Sequence, residues 1–461
     1  MTLVLAGGLV VRSLDPALVE VADIVVDGDR IARVGPPTGP GGGDREDRGP
    51  VRRIDCAGTI VIPGNVCAHT HAYSALARGM PYRLAPPTDF VEILQRVWWR
   101  LDRALDPASI RASALVAGLE ALRAGTTTLV DHHASPNAID GSLDIVADAF
   151  AELGIRSVLC YETTDRDGPE RSAAGLAENA RFLGEVAAGS RPLARAMVGG
   201  HASFTLSDAT LDALAELGRS AGTGLHIHAA EDAADEVDSV ARTGLRVIDR
   251  LARAGALGEQ TLLAHGVHLG PAEVAAVRVA GATVAHNPRS NMNNGVGRAP
   301  VADLGDRLVL GTDGIGGDLF EETRAAFLRR REEDLEVGAE WAVGRLAAGS
   351  AVPARAFAEP HLGELRPGAP ADLVVLDAPA PTPFDASSLA AHWIFGLSAA
   401  AVRDVVVNGE LVIADRRSTR VDEAEVASGA RAAARSLWGR MDGIGPHPFA
   451  PVRRAAVGGL A

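Results

Sequence analysis

Residues 59–71 read T-I-V-I-P-G-N-V-C-A-H-T-H: a β-branched run, a break at Pro63-Gly64, then a short apolar stretch that stops on two histidines. In a strand, residues two apart point to the same side, so His69 and His71 project together. Two imidazoles on one face make a bidentate seat for a divalent metal. The pattern of an apolar run closing on a polar residue recurs downstream. Strands are expected at Thr59–His71, Thr127–His132, Ser157–Glu162, Ala196–His201, Gly224–His228, Leu262–His265, Thr283–His286 and Arg307–Asp313. Alanine-rich helical stretches fill the gaps, among them Pro107–Ala124, Ser207–Ala221, Asp235–Ala256 and Pro271–Val279. Eight strand-then-helix units in sequence argue for an α/β fold of the (β/α)8 barrel type, since a doubly wound sheet rarely needs eight. Ten of the 13 histidines lie between positions 69 and 286, most of them where a strand stops. Barrel chemistry sits at those strand ends.

The two ends of the chain read differently. Leu3 to Val11 is a first strand, and Asp23 to Val34 has two apolar runs joined at Asp27-Gly28, a hairpin signal. Ala371–Leu376 and Val402–Ile413 repeat the pattern near the other end, with Asn408-Gly409 at the turn. The expected organisation is a composite β-sandwich from residues 1–62 and 357–420, a barrel over 63–356, and a C-terminal helix (Val421 to Arg440) with a loose tail over 421–461. The Gly/Pro/charge tract Pro36–Pro50 reads as an exposed loop.

Composition narrows the chemistry. The 461 residues allow two or three domains or one large barrel with an appendage. The net charge is −14, and no lysine occurs, so all 45 basic residues are arginine. Schiff-base and carbamylated-lysine chemistry both need a lysine amine and are excluded. The acidic surplus argues against nucleic acid and for a small neutral or modestly charged partner. Three scattered cysteines (Cys56, Cys67, Cys160) fit a reducing compartment. With no apolar run approaching a membrane span and no defensible cleavage site after the apolar start, a cytoplasmic location is expected.

The remaining strand ends complete a donor set. The fifth strand gives H-I-H-A-A-E, with His226 two residues before the strand end and expected deeper in the barrel, His228 at its end and Glu231 at the barrel mouth. A carboxyl group there can move a proton between water and a leaving group. The sixth gives His265, with His268 facing elsewhere, and the eighth gives G-T-D-G, placing Asp313 between glycines that let the backbone approach closely.

H-x-H, H-x-x-E, A-H and T-D-G, each closing a strand in this order, resemble the amidohydrolase superfamily. The likeness is to the branch holding guanine, cytosine and adenosine-derivative deaminases and the triazine chlorohydrolases. Within it, the stretches C-A-H-T-H-A-Y-S-A-L-A-R-G-M (67–80), W-W-R-L-D-R-A-L-D (98–106), D-H-H-A-S-P-N (131–137), C-Y-E-T-T-D-R (160–166), R-S-N-M-N-N (289–294) and L-G-T-D-G-I-G (310–316) resemble SsnA-type aminohydrolases. The resemblance implies one divalent metal per chain, usually zinc with iron as the alternative, held by His69, His71, His228 and Asp313. It implies Glu231 as proton shuttle, His265 orienting the attacking water and polarising the substrate, and Asp313 also taking the water proton. His201 falls where relatives place a substrate-contacting histidine, although Ser203 stands where they carry a proline. Two-metal relatives bridge their ions with a carbamylated lysine, and this lysine-free chain fits only the mononuclear version. The implied activity is hydrolysis of a non-peptide C–N bond, by deamination of a purine-like or other nitrogen heterocycle, in nucleobase metabolism. Ring opening of a cyclic amide and hydrolytic dechlorination are the alternatives, and a non-enzymatic metal-binding barrel is a distant third. The assembly implied is a homodimer.

For the substrate pocket, the long insertion Ser74–Asp106 carries Arg78, Tyr82, Trp98 and Trp99 and is expected to cover a flat heterocycle, with helix packing as the alternative for the tryptophans. Glu162, Asn287, Arg289 and Asn291 lie near strand ends and are further candidates to read a heterocycle edge, and one of His132 and His133 is expected in the pocket.

Overall fold

The computed structural model describes residues 2–37 and 51–452; most of the predicted Pro36–Pro50 loop therefore falls outside the described residues. A parallel barrel occupies the middle of the chain. Its strands are Asn65–Thr70, Thr126–His133, Arg156–Tyr161, a fourth split into Ala194–Ala196 and Val198–Ala202, then Leu225–Ala229, Leu262–His265, Thr283–His286 and Leu308–Leu310. The first half and the second half each form a parallel sheet. Two bridges, Thr70 to Asp313 and Thr163 to Gly200, join the sheets into a ring.

Both chain ends meet in one nine-stranded mixed sheet. Ile60–Pro63 is its middle piece: it runs parallel to Thr2–Leu14 and antiparallel to Leu373–Leu376. The two predicted hairpins are present, pairing Asp27 with Arg30 and Val407 with Glu410. In the second, Asn408 and Gly409 both adopt positive φ, as a tight turn between right-twisted strands requires.

Two elements depart from the sequence expectation. Thr59–His71 is not one strand: at Gly64 the chain leaves the mixed sheet and enters the barrel, and a Cβ there would sit 2.1 Å from Thr127 Oγ1. Only glycine lets the two sheets approach so closely. The expected helix Asp235–Ala256 is two helices, Ala233–Thr243 and Val247–Arg253, because Gly244 takes a left-handed conformation and ends the first. A buried ion pair ties the two parts of the fold together. Arg156, at the start of the third barrel strand, meets Asp372 at 2.9 and 3.2 Å, and Asp372 also accepts from Asn408 N.

The insertion before Pro107–Arg123 folds into Phe90–Ile93, a wide π-helical turn at Leu94–Trp98, and Trp99–Ala104. The C-terminal helix Glu423–Asp442 packs on this segment. The residues after it, expected to be loose, are a strap through 452. Arg100 donates to Ile444 O and Met441 O, Gln95 Nε2 to Phe449 O, and His447 N to Gln95 O. Trp99 is thereby enclosed by His447 and Phe449, with ring centroids 5.3 and 5.7 Å away. Among the described residues no helix is long and apolar enough to cross a membrane. A chain ending at Gly443 should keep its far-ultraviolet dichroism but show red-shifted tryptophan emission, with Tm lowered by roughly 1 °C per kcal/mol lost. Unchanged emission would mean the strap does not enclose Trp99.

Candidate active site

The ring closes at the chemistry. Thr312 N and Asp313 N both donate to His69 O (2.9 and 3.1 Å), His71 N donates to Asp313 O at 3.4 Å, and Thr70 Oγ1 donates to Asp313 O at 3.0 Å. Asp313 is thus stitched by backbone to the two residues whose side chains flank it. A Cβ at Gly311 would lie 2.8 Å from His69 O, so glycine is needed for the seam to shut. Ala230, His265 and Asp313, none of them glycine, take positive φ at the barrel mouth, the kind of backbone strain that gathers at functional sites.

Five donors converge there. His71 Nε2 lies 3.0 Å from His228 Nε2 and 3.1 Å from Asp313 Oδ1, and His69 Nε2 lies 3.6 Å from the same oxygen. Donor atoms of His69, His228, His265 and Asp313 all fall within 4.8 Å of one another. The other ring nitrogens decide the protonation. His71 Nδ1 faces His132 O at 2.6 Å and His228 Nδ1 faces His201 O at 2.8 Å. A carbonyl only accepts, so both Nδ1 atoms carry hydrogen, and in neutral rings both Nε2 atoms present lone pairs. Two lone pairs at this distance repel unless a cation or a proton stands between them. The buried Nε2 of His69 has no hydrogen-bond partner, while its Nδ1 is held by His226 Nε2 at 2.8 Å. These residues therefore fit a divalent metal, each ligand oriented by an outer partner. The same geometry shows in the charge balance. Burial pushes His69 down to about 3, whereas Asp313 outweighs burial at His71 and draws it up to about 9. A second cluster, His71, His132, Glu162 and His228, shares His228 with that four-residue group and His71 with the wider set of five donors, so together they form one continuous polar floor.

Above that floor is a cavity whose open space, counted out into the solvent at its mouth, is about 600 Å³. Phe90, Leu94, Trp98 and Trp99 form its apolar wall; His71, Glu162, His201 and His228 its floor; Glu231, Ser290, Asn294 and Asp313 its far side. The structure brings His69, His71, His228, His265, Asp313 and Glu231 together, and places Glu162, His201 and Trp98 on the same cavity. Two other candidates lie elsewhere. Arg78 is drawn out to Glu120, at 2.5 and 2.7 Å, with its side chain 67% exposed. Asn291 turns its Oδ1 to His265 Nδ1 at 2.8 Å and lines a neighbouring small cavity, so it supports a site residue from behind. Arg289 is likewise committed to Glu321 and Glu322. His268 faces Val296 O, and His226 lies deep in the barrel under His69. Of the tandem pair, His132 sits beneath Glu162 and His133 turns to Ser135.

Several supports escaped sequence reasoning. Asp235, buried, accepts from Ala230 N and Phe204 N, both at 2.9 Å, and so fixes the loop that carries Glu231. Asp131 accepts from Ala72 N at 2.6 Å and holds the turn after His71. Ser290 donates to Asp313 Oδ2, and Asn294, one helical turn on, reaches Ser290 Oγ and Glu231 Oε1 at 3.3 and 3.4 Å. The i,i+4 spacing of Ser290 and Asn294 was a usable signal; the two aspartates gave none. Two of the three cavity carboxyls are shifted in opposite directions. Burial, then Asp313, lifts Glu231 well above the usual range. Burial would raise Glu162 too, but His201 and His132 hold it well below.

The Amidohydrolase family model matches residues 60–412. The chain belongs to the amidohydrolase family. Within that family its relatives place it among the aminohydrolases, which hydrolyse C–N bonds with a divalent metal. It is 32% identical over 425 residues to a 5-methylthioadenosine/S-adenosylhomocysteine deaminase of Desulforudis audaxviator, covering 90% of this chain and 94% of the relative. It is 30% identical over 386 residues to a 5'-deoxyadenosine deaminase of Methanopyrus kandleri, covering 82% and 86%. Among solved structures, a zinc-bound adenosine deaminase from Xanthomonas campestris superposes with a TM-score of 0.82 at 24% identity, covering 96% of this chain and 99% of that one. An atrazine chlorohydrolase variant from Arthrobacter aurescens, complexed with zinc and atraton, gives 0.78 at 25% identity, covering 94% and 100%.

Asp235→Ala leaves two buried N–H groups without acceptors and should cost about 2–4 kcal/mol in chemical denaturation; a loss under about 0.5 kcal/mol would show the loop does not depend on it. Asp313→Ala or His228→Ala should drop bound metal, read by elemental analysis, well below one per chain. Asn291→Ala should leave it near one.

Proposed function

We propose that the protein deaminates a purine-like nitrogen heterocycle, with one divalent metal, zinc by preference, held by His69, His71, His228 and Asp313. The observation that carries this reading is the placing of Glu231: its carboxyl lies 3.6 Å from His265 Nε2, shares a cavity with Asp313, and is drawn by its surroundings towards the protonated form. The metal supplies Lewis acidity, which lowers the pKa of a water from ~15.7 towards ~7. The residues do the rest. Asp313 takes a proton from the attacking water. His265, its Nδ1 turned to Asn291 Oδ1, presents the Nε2 lone pair and orients that water. Glu231 delivers a proton to the departing nitrogen, and ammonia leaves. The aromatic wall of Phe90, Trp98 and Trp99 suits a flat ring. The deaminases among the relatives support an exocyclic amine as leaving group.

The test is a screen of zinc-loaded protein against purines, pyrimidines and their oxidised derivatives, following ammonia and ultraviolet absorbance together. Ammonia release with the ring chromophore retained is expected. Loss of the chromophore would indicate ring opening, and chloride release from chlorinated rings would indicate dechlorination. No turnover of any ring at one metal per chain would overturn the reading. Glu231→Gln should lower kcat by roughly 10²–10⁴-fold, the usual worth of a positioned acid, with metal content unchanged. An unaltered rate would remove Glu231 from the reaction.

A further inference from the structure

Glu162 has a feature that metal binding and proton transfer leave unused. It is 3% exposed, it lines the cavity, and it is surrounded by nitrogen atoms that stand back from it. His132 Nδ1 is 3.3 Å away, Arg166 Nη1 3.5 Å, His201 Nε2 3.6 Å and His71 Nδ1 4.0 Å. A well-made N–H···O bond is about 2.9–3.0 Å, and a carboxylate offers about four acceptor sites. Two of these neighbours, Arg166 Nη1 and His132 Nδ1, are buried atoms with no hydrogen-bond partner. Arg166 is committed to Asp102 and Asp167 through its other nitrogens. Arg166 thus places positive charge behind Glu162 without filling its lone pairs.

Its position sets what can fill them. Glu162 and Asp313 lie off opposite nitrogens of the His71 ring, Nδ1 and Nε2 respectively. A flat ligand lying over that ring with its reacting carbon at Asp313 presents its far edge to Glu162. Among the described residues the cavity lining holds three carboxyl groups (Glu162, Glu231 and Asp313) and no arginine, so in a chain without lysine no fixed cation faces it apart from the metal site. A phosphate or carboxylate on the ligand would be desolvated there without a partner.

We propose that Glu162 is the substrate anchor. It accepts hydrogen bonds from ring N–H donors on the edge opposite the departing amino group, and it selects free bases that carry no anionic group. This assignment rests on the deaminase reading above and narrows its substrate class. Of the two compounds in the name of the Desulforudis audaxviator relative, S-adenosylhomocysteine ends in a carboxylate, for which the described lining offers no cationic side chain.

The test is calorimetric binding to the zinc-loaded protein, separate from turnover. Probes are guanine, cytosine and their analogues capped by N-methylation on the far edge, with 5'-deoxyadenosine and S-adenosylhomocysteine as nucleoside and anionic comparisons. At least one free base should bind. Capping its far-edge N–H should weaken it roughly ten- to a hundredfold, as expected for a hydrogen bond to a charged group. Glu162→Gln should weaken the uncapped base to the same extent, Glu162→Asp should weaken it less, and neither should change the affinity of the capped analogue. S-adenosylhomocysteine should bind more weakly than 5'-deoxyadenosine. The capped analogues need no variant and decide the matter if Glu162→Gln fails to fold. Equal affinity for capped and uncapped bases, tighter binding of the anionic ligand, or no binding of any free base would overturn the proposal. Binding without ammonia release would defeat the deaminase reading and leave the anchor intact. Turnover indifferent to both capping and substitution would do the reverse.

Discussion

The site depends on one seam. A parallel barrel must join its first strand to its last, and here the joining hydrogen bonds run between His69, Thr70 and His71 on one side and Thr312 and Asp313 on the other. Residues more than 240 positions apart along the chain are fixed at bonding distance by backbone alone. Their side chains need no search to find one another. The fold's closure and the assembly of the donor set are a single event.

Around that seam, each imidazole is oriented from its far nitrogen. Carbonyls of His132 and His201, the ring of His226 and the amide of Asn291 each hold an Nδ1, so four Nε2 atoms point inward. Two of these partners, His132 and His201, lie on neighbouring barrel strands, so for His71 and His228 the orientation comes from the ladder itself. The buried groups are costly to assemble, and the barrel's packing supplies the stability that offsets them.

Much of this was legible. His69 and His71 lie at the end of a strand whose apolar run is visible in the sequence, and alternation places them on one side; His228 and His265 close later strands, and Glu231 and Asp313 follow just beyond theirs. The barrel and the joined chain ends followed from the same periodicity and from two hairpin turns. What stayed hidden depends on side-chain direction and long-range pairing. Arg78 sits in an insertion expected over the pocket, but Glu120, on a helix 42 residues away, claims its guanidinium. Asn291 lies one turn into a short helix, which turns its amide behind His265. Asp131 and Asp235 read as ordinary strand-end and helix-start acids, and nothing local says that they cap distant backbone. Glycine misled twice: the Pro63-Gly64 break was taken as an interruption within one strand although the chain changes sheet there, and Gly244 divided a helix that composition showed as one.

The strap over Trp99 has a temporal meaning as well as a spatial one. Residues 444–452 are translated after every strand of the barrel, yet they brace the segment that walls the cavity. A nascent polypeptide can therefore close its ring and gather its ion-holding groups while the chamber for the organic molecule is still unfinished. The wall of the chamber is thus completed by a piece of chain that emerges after the last strand of the ring.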